Sequence, residues 1–340
     1  METEKLDLLS GDYEKSIERA ADILKNDGIV AVPTETVYGL AASAFSDKAI
    51  AKVFAAKGRP QDNPLIVHIS DGKMLETVAK DIPLSALKCA ATFWPGPFTM
   101  VLKKTDRIAN SVSRGLDTVA VRMPSEKSIR DIIDRSGLPL AAPSANISGS
   151  PSPTTYTHVL NDLDGKIDAV VLGDDCKFGV ESTVVSFCTK NPRLLRPGAV
   201  TLERLKMLLP DIEVDKAVLS EPESGEKVSS PGMKYKHYSP KTETFLVEGT
   251  SEAFAGFMNE KTDAIAICFS EDAPLLTVKK IIYGSKDDDL SLAKNVFSAL
   301  READTRNASA VYIHAPLKTG VGLAVYNRLI RAAAFKVMYL

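Results

Sequence analysis

YEKSIERAADILKNDGIVAV, residues 13–32, reads as a helix, a stop and a strand. Ile17, Ala20, Ala21, Ile23 and Leu24 recur at helical spacing over Tyr13 to Asp27, and charged residues fill the opposite face. Gly28 ends the pattern. Ile29 to Val32 is a short, wholly apolar run, the mark of a strand covered on both faces. A helix leading into a buried strand places the chain in the α/β class.

The alternation continues outward from there. Ser46 or Asp47 opens a helix whose inward side is Ile50, Val53 and Phe54. Leu65–Ile69 is the next strand, and a helix over Leu84–Phe93 stops at the turn cluster WPGPF. Thr99–Lys103 and Thr118–Met123 read as strands, and Ser125 caps a helix to Arg135. Leu138–Ala141, Ala169–Leu172, Ser182–Phe187 and Arg193–Leu195 read as further strands before a closing helix over Thr201–Leu209. The short strands crowded near the end of the series predict a mixed sheet. Leu219 to Pro240 has no apolar period and the Ser, Pro, Gly and charge content of a linker. Beyond Lys241 a smaller, Rossmann-like α/β domain is expected. Its strands are Thr244–Val247, Ala264–Phe269, Lys280–Tyr283 and Ala310–Ile313, and its helices Ser251–Asn259, Leu290–Ala303 and Leu323–Phe335. The expected division is residues 1–209, a linker or lid over 210–240, and 241–340.

Composition narrows the function classes. The 340 residues carry 42 Lys and Arg against 44 Asp and Glu, a formal net charge of −2, with 44% hydrophobic residues. That describes a globular chain and excludes disorder or a disulfide scaffold as its dominant character. No apolar run reaches the ~18 residues of a membrane span, and METEKLDLLSGDYEKS lacks an apolar signal core, so a cytoplasmic location is expected. Cys89, Cys176, Cys188 and Cys268 form no C-x-x-C pair and stand at no zinc spacing from His68, His158, His237 or His314; they are expected to be reduced and structural.

The chemistry lies in the loops. No phosphate-binding P-loop, G-x-S-x-G elbow or H-E-x-x-H helix is present. Gly320 and Gly322 form a tight turn rather than a dinucleotide fingerprint, because the third glycine position holds Val325. Lys57-Gly58-Arg59-Pro60 sets two cations around a glycine, which suits an anion and equally a helix end. Pro143-Ser144-Ala145-Asn146 offers small residues and donors, or a plain turn. Arg122 ends a strand as a ligand clamp or as a surface cation. His68 lies in an otherwise apolar strand, and Thr34, Glu35 and Thr36 follow another. At strand ends of an α/β sheet such loops converge on one crevice. Lys57, Arg59, Arg122 and Arg196 would then line an anion-binding cleft inside a near-neutral chain.

The ordered set PTETVYGL, KGRP, NPLIVHI, WPGPFT, DTVAVRMP, APSANISG, VESTVV and LRPGAV resembles the YrdC family over Lys15 to Leu209. PGMKYKHYSP and the second domain resemble the long, two-domain form of that family. The resemblance implies a twisted α/β sheet with a concave, positively charged cleft. It also implies an enzyme joining L-threonine, bicarbonate and ATP into threonylcarbamoyl-AMP with release of pyrophosphate. A separate transferase complex then modifies adenosine beside the tRNA anticodon. It implies that Lys57, Arg59, Ser144 and Asn146 are catalytic, and that Asn63, Thr118, Ser152, Arg196, Tyr235 and His237 join Arg59 and Ser144 at ATP. Thr36, His68, Arg122, Ala142 and Ser182 would hold threonine, with Arg122 as a bidentate clamp on its carboxylate. Magnesium is expected with ATP, held mainly by phosphates, since no carboxylate cage is evident. Other readings stay open: RNA bound in the same cleft, a carbamoyl-transfer protein of hydrogenase maturation, or an inactive scaffold.

Overall fold

The computed structural model describes residues 2–58, 63–221, 238–306 and 308–340. Arg59, Tyr235 and His237, with most of the expected lid, lie outside the described residues.

The first sheet is built from β1 (Glu4–Asp7), β2 (Val30–Val32), β3 (Gly39–Ser43), β4 (Ile66–His68), β5 (Ala79–Lys80), β6 (Phe98–Lys104), β7 (Thr118–Arg122), β8 (Leu140–Ala141), β9 (Ala169–Leu172), β10 (Thr183–Ser186), β11 (Arg193–Arg196) and β12 (Glu213–Val214). Their order is β1-β9-β2-β3-β8-β4-β7-β6-β10-β11-β12, with β5 paired to β6. The sheet is mixed: β4 runs parallel to β7, β10 to β6 and β12 to β11, while β3 and β8 pair antiparallel with their neighbours and β11 with β10. β12 carries this sheet past residue 209, and the turn Lys216–Val218 packs Ala217 against Ile66, Ala120 and Leu195.

The helix Tyr13–Lys25 forms where the periodicity places it, capped by the Asp12 carboxylate on the Lys15 amide. It buries Ile17, Ala20 and Leu24 against Ile129, Ile132 and Ile133 of the helix Lys127–Ser136. The helix Asp47–Lys57 turns Ile50, Val53 and Phe54 onto Val67, Met100 and Val121. That helix covers one face of the central strands. The pair Tyr13–Lys25 and Lys127–Ser136 lies on the opposite face, against Val30, Val32, Ala41 and Leu140. Farther along the sheet that same face carries Ile66, Val101, Ala120, Val184 and Leu195.

The second sheet has β13 (Glu243–Glu248), β14 (Ala264–Phe269), β15 (Lys279–Gly284), β16 (Ala310–His314) and β17 (Val337–Tyr339) in the order β15-β14-β16-β13-β17. Every pair is parallel. Numbered within the domain the order is 3-2-4-1-5, which sets the fourth strand between the second and the first, unlike the Rossmann order. Val37 and Val180 of the first domain join the core of the second through Tyr238, whose ring lies 5.1 Å from that of Phe297. No helix among the described residues is long and apolar enough to cross a membrane.

Candidate active site

A cleft enclosing about 720 Å³, its open mouth included, lies where the turn after β2, the ends of β4 and β7, the loop after β8, and the approaches to β10 and β11 meet. β4 and β7 fix its axis. Their parallel register pairs Ile66 with Ala120 and His68 with Arg122. Side chains alternate along a strand, so these four share one face. Thr118 opens β7 and Asn63 precedes β4 in the chain, at the other ends of those strands from Arg122 and His68. The expected threonine set gathers at the His68–Arg122 end. Arg122 Nη1 donates to Thr36 Oγ1 at 2.8 Å, the Ala142 amide bonds the Ile66 carbonyl, and Ser182 Oγ bonds Thr99 Oγ1 at 2.7 Å. Thr99 is itself paired with Arg122 across β6 and β7. Asn63 and Thr118 sit toward the opposite end of the axis. Thr36, His68, Arg122, Ala142, Ser144, Asn146, Ser182 and Arg196 all line the cleft. Thr118, Asn63 and Ser152 do not reach its wall.

Arg122 is more constrained than a free clamp. Besides Thr36, its Nη2 lies 2.7 Å from Glu35 Oε2 and its Nε donates to the Gly96 carbonyl. Of five guanidinium N–H groups, two remain for a ligand. Burial opposes ionisation of Glu35, and the Arg122 charge and hydrogen bond outweigh it, holding the carboxyl below its ordinary range. His68 is buried, and burial followed by the Arg122 charge pushes its imidazole from 6.5 down to about 3. It therefore stands neutral at physiological pH, and its Nδ1 has no hydrogen-bond partner among the described residues.

Arg196 is 7% exposed, and among the described residues its guanidinium bonds only the carbonyl and hydroxyl of Ser182. Burial, then the neighbouring Arg328 charge, pulls it down to about 10, still cationic at neutral pH. The nearby carboxylate, Glu181, is taken by Arg328 at 2.8 Å. A buried cation with only neutral partners is costly unless an anion arrives.

Lys57 differs from its expected role. It ends the helix Asp47–Lys57 just before left-handed Gly58, is 2% exposed, and its ammonium donates to the carbonyls of Ser144 at 2.5 Å and Asn146 at 2.6 Å. In these two contacts it supports the loop that carries Ser144 and Asn146. Above it Ser144 Oγ donates to Asn146 Oδ1, and the Asn146 amide donates to the carbonyls of Ile147 and Ser150. This spacing of Ser and Asn locks the loop with its own side chains.

Sequence reasoning did not single out Glu181 or Arg328, and it noted Tyr238 only within the Lys234–Tyr238 cluster of the expected lid. Ser152 reaches the site only through Glu181, to which its hydroxyl donates at 2.6 Å. Tyr238 lines the cleft at the linker's end, where the Ser239 amide bonds the Gly149 carbonyl. The aromatic and basic cluster Lys234–Tyr238 was the available signal for it. For Arg328, inside an amphipathic helix, there was none.

Comparison with known proteins establishes the family. The family model described as Telomere recombination, covering Sua5, YciO and YrdC, matches residues 22–198. A second, described as Threonylcarbamoyl-AMP synthase, C-terminal domain, matches residues 200–334. The threonylcarbamoyl-AMP synthase of Pyrococcus abyssi is 40% identical over 334 residues, 96% of each chain. That of Bacillus subtilis is 40% identical over 331 residues, spanning 96% of this chain and 95% of its own. The crystal structure of P. abyssi Sua5 complexed with L-threonine superposes with a TM-score of 0.90 at 37% identity and covers 100% of both chains. The chain belongs to the Sua5, YciO and YrdC family, in the two-domain form of the threonylcarbamoyl-AMP synthases.

Proposed function

We propose that this protein condenses L-threonine, bicarbonate and ATP into threonylcarbamoyl-AMP and pyrophosphate. The observation that carries this reading is Arg196, a buried guanidinium with no carboxylate of its own among the described residues, in the same cleft as the His68–Arg122 pair. One end of the cleft suits an amino acid, with Thr36, Ala142 and Ser182 around the two spare N–H groups of Arg122. The other, toward Asn63 and Thr118, suits a nucleotide.

In the reaction, the threonine nitrogen bonds the bicarbonate carbon and water leaves. A carbamate oxygen then bonds the α-phosphorus of ATP while the bond to the β-phosphate oxygen breaks, releasing pyrophosphate. The nucleophile belongs to the substrate, so the protein's part is placement and charge. Holding both reactants in contact accounts for about 7–11 kcal/mol of barrier. Arg196, Ser144 and Asn146 would meet the charge that develops between carbamate and phosphate. His68, kept neutral, shapes the pocket without adding a cation.

Among the described residues no group of three His, Cys, Asp or Glu side chains is placed to hold a metal ion. Magnesium arriving with ATP would take its ligands from phosphates and water. The unstable mixed anhydride calls for a transferase acting on tRNA in the same compartment, which we take to be the cytoplasm. Incubation with ATP, threonine and labelled bicarbonate should yield one labelled adenylate per pyrophosphate, read by mass. Salt-dependent RNA retention without ATP turnover would overturn the assignment.

A further inference from the structure

The helix Gly322–Ala332 belongs to the second domain, yet every one of its residues is buried. Three of its polar side chains enter the first domain. Asn327 Nδ2 donates to the Val218 carbonyl and Arg331 Nη2 to that of Ala217, both at 2.6 Å. Arg328, fully buried, reaches furthest. Its Nε donates to Glu181 Oε2 at 2.8 Å, its Nη2 to the Glu181 carbonyl at 3.0 Å and its Nη1 to the Pro197 carbonyl at 2.8 Å. Glu181 immediately precedes Ser182, and Pro197 immediately follows Arg196. One guanidinium therefore brackets the two chain segments that carry the cleft's Ser182 and Arg196. The other Glu181 oxygen is occupied by the Ser152 hydroxyl.

We infer that Arg328 is a positioning residue of the synthase: by holding Glu181, it keeps Arg196 available for the phosphates of the nucleotide. Without Arg328, Glu181 is a buried carboxylate with no countercharge, and Arg196 is the cation beside it. The two already act on each other electrostatically. An ion pair between them would cancel the positive end of the cleft from inside. The second domain thus contributes to the site without touching substrate, and its docking becomes a condition for binding ATP. This inference rests on the synthase reading above.

The test uses the full chain and measures equilibrium binding of a non-hydrolysable ATP analogue and of threonine, well below the melting temperature of each variant. Arg328→Met should weaken analogue binding about tenfold while leaving threonine binding within about twofold. Adding Glu181→Gln should restore the analogue affinity, because the competing carboxylate is then neutral. A purely structural role would weaken both ligands together and would not be rescued selectively. If Arg328→Met does not fold, Arg328→Met with Glu181→Gln, which removes the buried carboxylate together with its countercharge, is compared with wild type and should bind the analogue normally. Unchanged analogue affinity in folded Arg328→Met, or a double variant still impaired, overturns the inference. A wild-type chain that binds the analogue but makes no adenylate would instead refute the proposed function, leaving the binding comparison readable.

Discussion

The Lys57 ammonium lies 2.5 Å from the Ser144 carbonyl, tying the end of one helix to the loop that carries both Ser144 and Asn146. The contact is with backbone, so the lysine sets the position of that loop. Lys57→Met keeps the buried stem and removes the donor. Each lost bond from a charged group costs about 1.5–3 kcal/mol. We expect kcat for adenylate formation to fall by about tenfold to a hundredfold, with faster amide exchange over residues 142–150. Unchanged exchange there, with lowered activity, would return Lys57 to direct contact with the nucleotide.

Arg122 bonds three partners in three directions: Glu35, Thr36 and the Gly96 carbonyl. A lysine ammonium cannot reproduce that fork. Arg122→Lys should raise KM for threonine more than KM for ATP and should lower stability, because Glu35 keeps its charge with a poorer partner. Folded Glu35 is ionised below its ordinary range, so this pair's contribution is present above pH 4.5 and fades as pH falls through the folded value. The variant should therefore lose part of the wild type's acid dependence, read by thermal melts across pH. Equal rises in both KM values would argue against a threonine site at this end.

His68 behaves oppositely to a pH-sensing histidine. The folded chain holds it neutral down to about pH 3, while the unfolded chain takes up its proton near 6.5. Between those values the unfolded state binds more protons. The neutral-His68 contribution is thus complete above pH 6.5 and is lost progressively as pH falls toward 3. His158, pushed down to about 4 by burial and then by Arg301, adds in the same sense. The His68 ring signals should not titrate between about pH 5 and 8 in a nuclear magnetic resonance experiment. A midpoint near 6.5 would show that the ring is solvated.

What the sequence made legible follows from what its periodicities encode. Tyr13–Lys25 and its following strand were readable because one face is apolar and the other charged. β3 was not, because apart from Leu40 it is made of small residues with little strand preference, and its first two residues close the loop motif PTETVYGL. β1 is a charged edge strand, Glu4–Asp7, held by pairing with β9 rather than by its own pattern. Thr36, His68, Arg122, Ala142 and Ser182, grouped by motif order, do line one cleft. Arg328 was hidden for a different reason. A charged residue on a helix looks the same in sequence whether it meets water or the carbonyls of another domain. Lys57 was placed correctly in the chain, but its direction depends on a loop nearly ninety residues away.

Gly179 offers a way to test domain docking without touching any charged group. It adopts a left-handed φ of +73°, and a Cβ there would stand 2.4 Å from the Ala293 carbonyl oxygen and 2.5 Å from Lys294 Cα, both in the second domain. Gly137 has a similar φ of +68° but open space around its missing Cβ. Alanine at either position meets the left-handed penalty of about 1–2 kcal/mol. Only at Gly179 must the helix Asp289–Thr305 also move away. Gly137→Ala should lose about that penalty in chemical denaturation and keep its affinity for an ATP analogue. Gly179→Ala should lose more stability and also bind the analogue more weakly, because the segment leading to Glu181 shifts with it. Equal losses in the two variants, with unaltered analogue binding in both, would mean that the junction can open at Gly179 without disturbing the cleft.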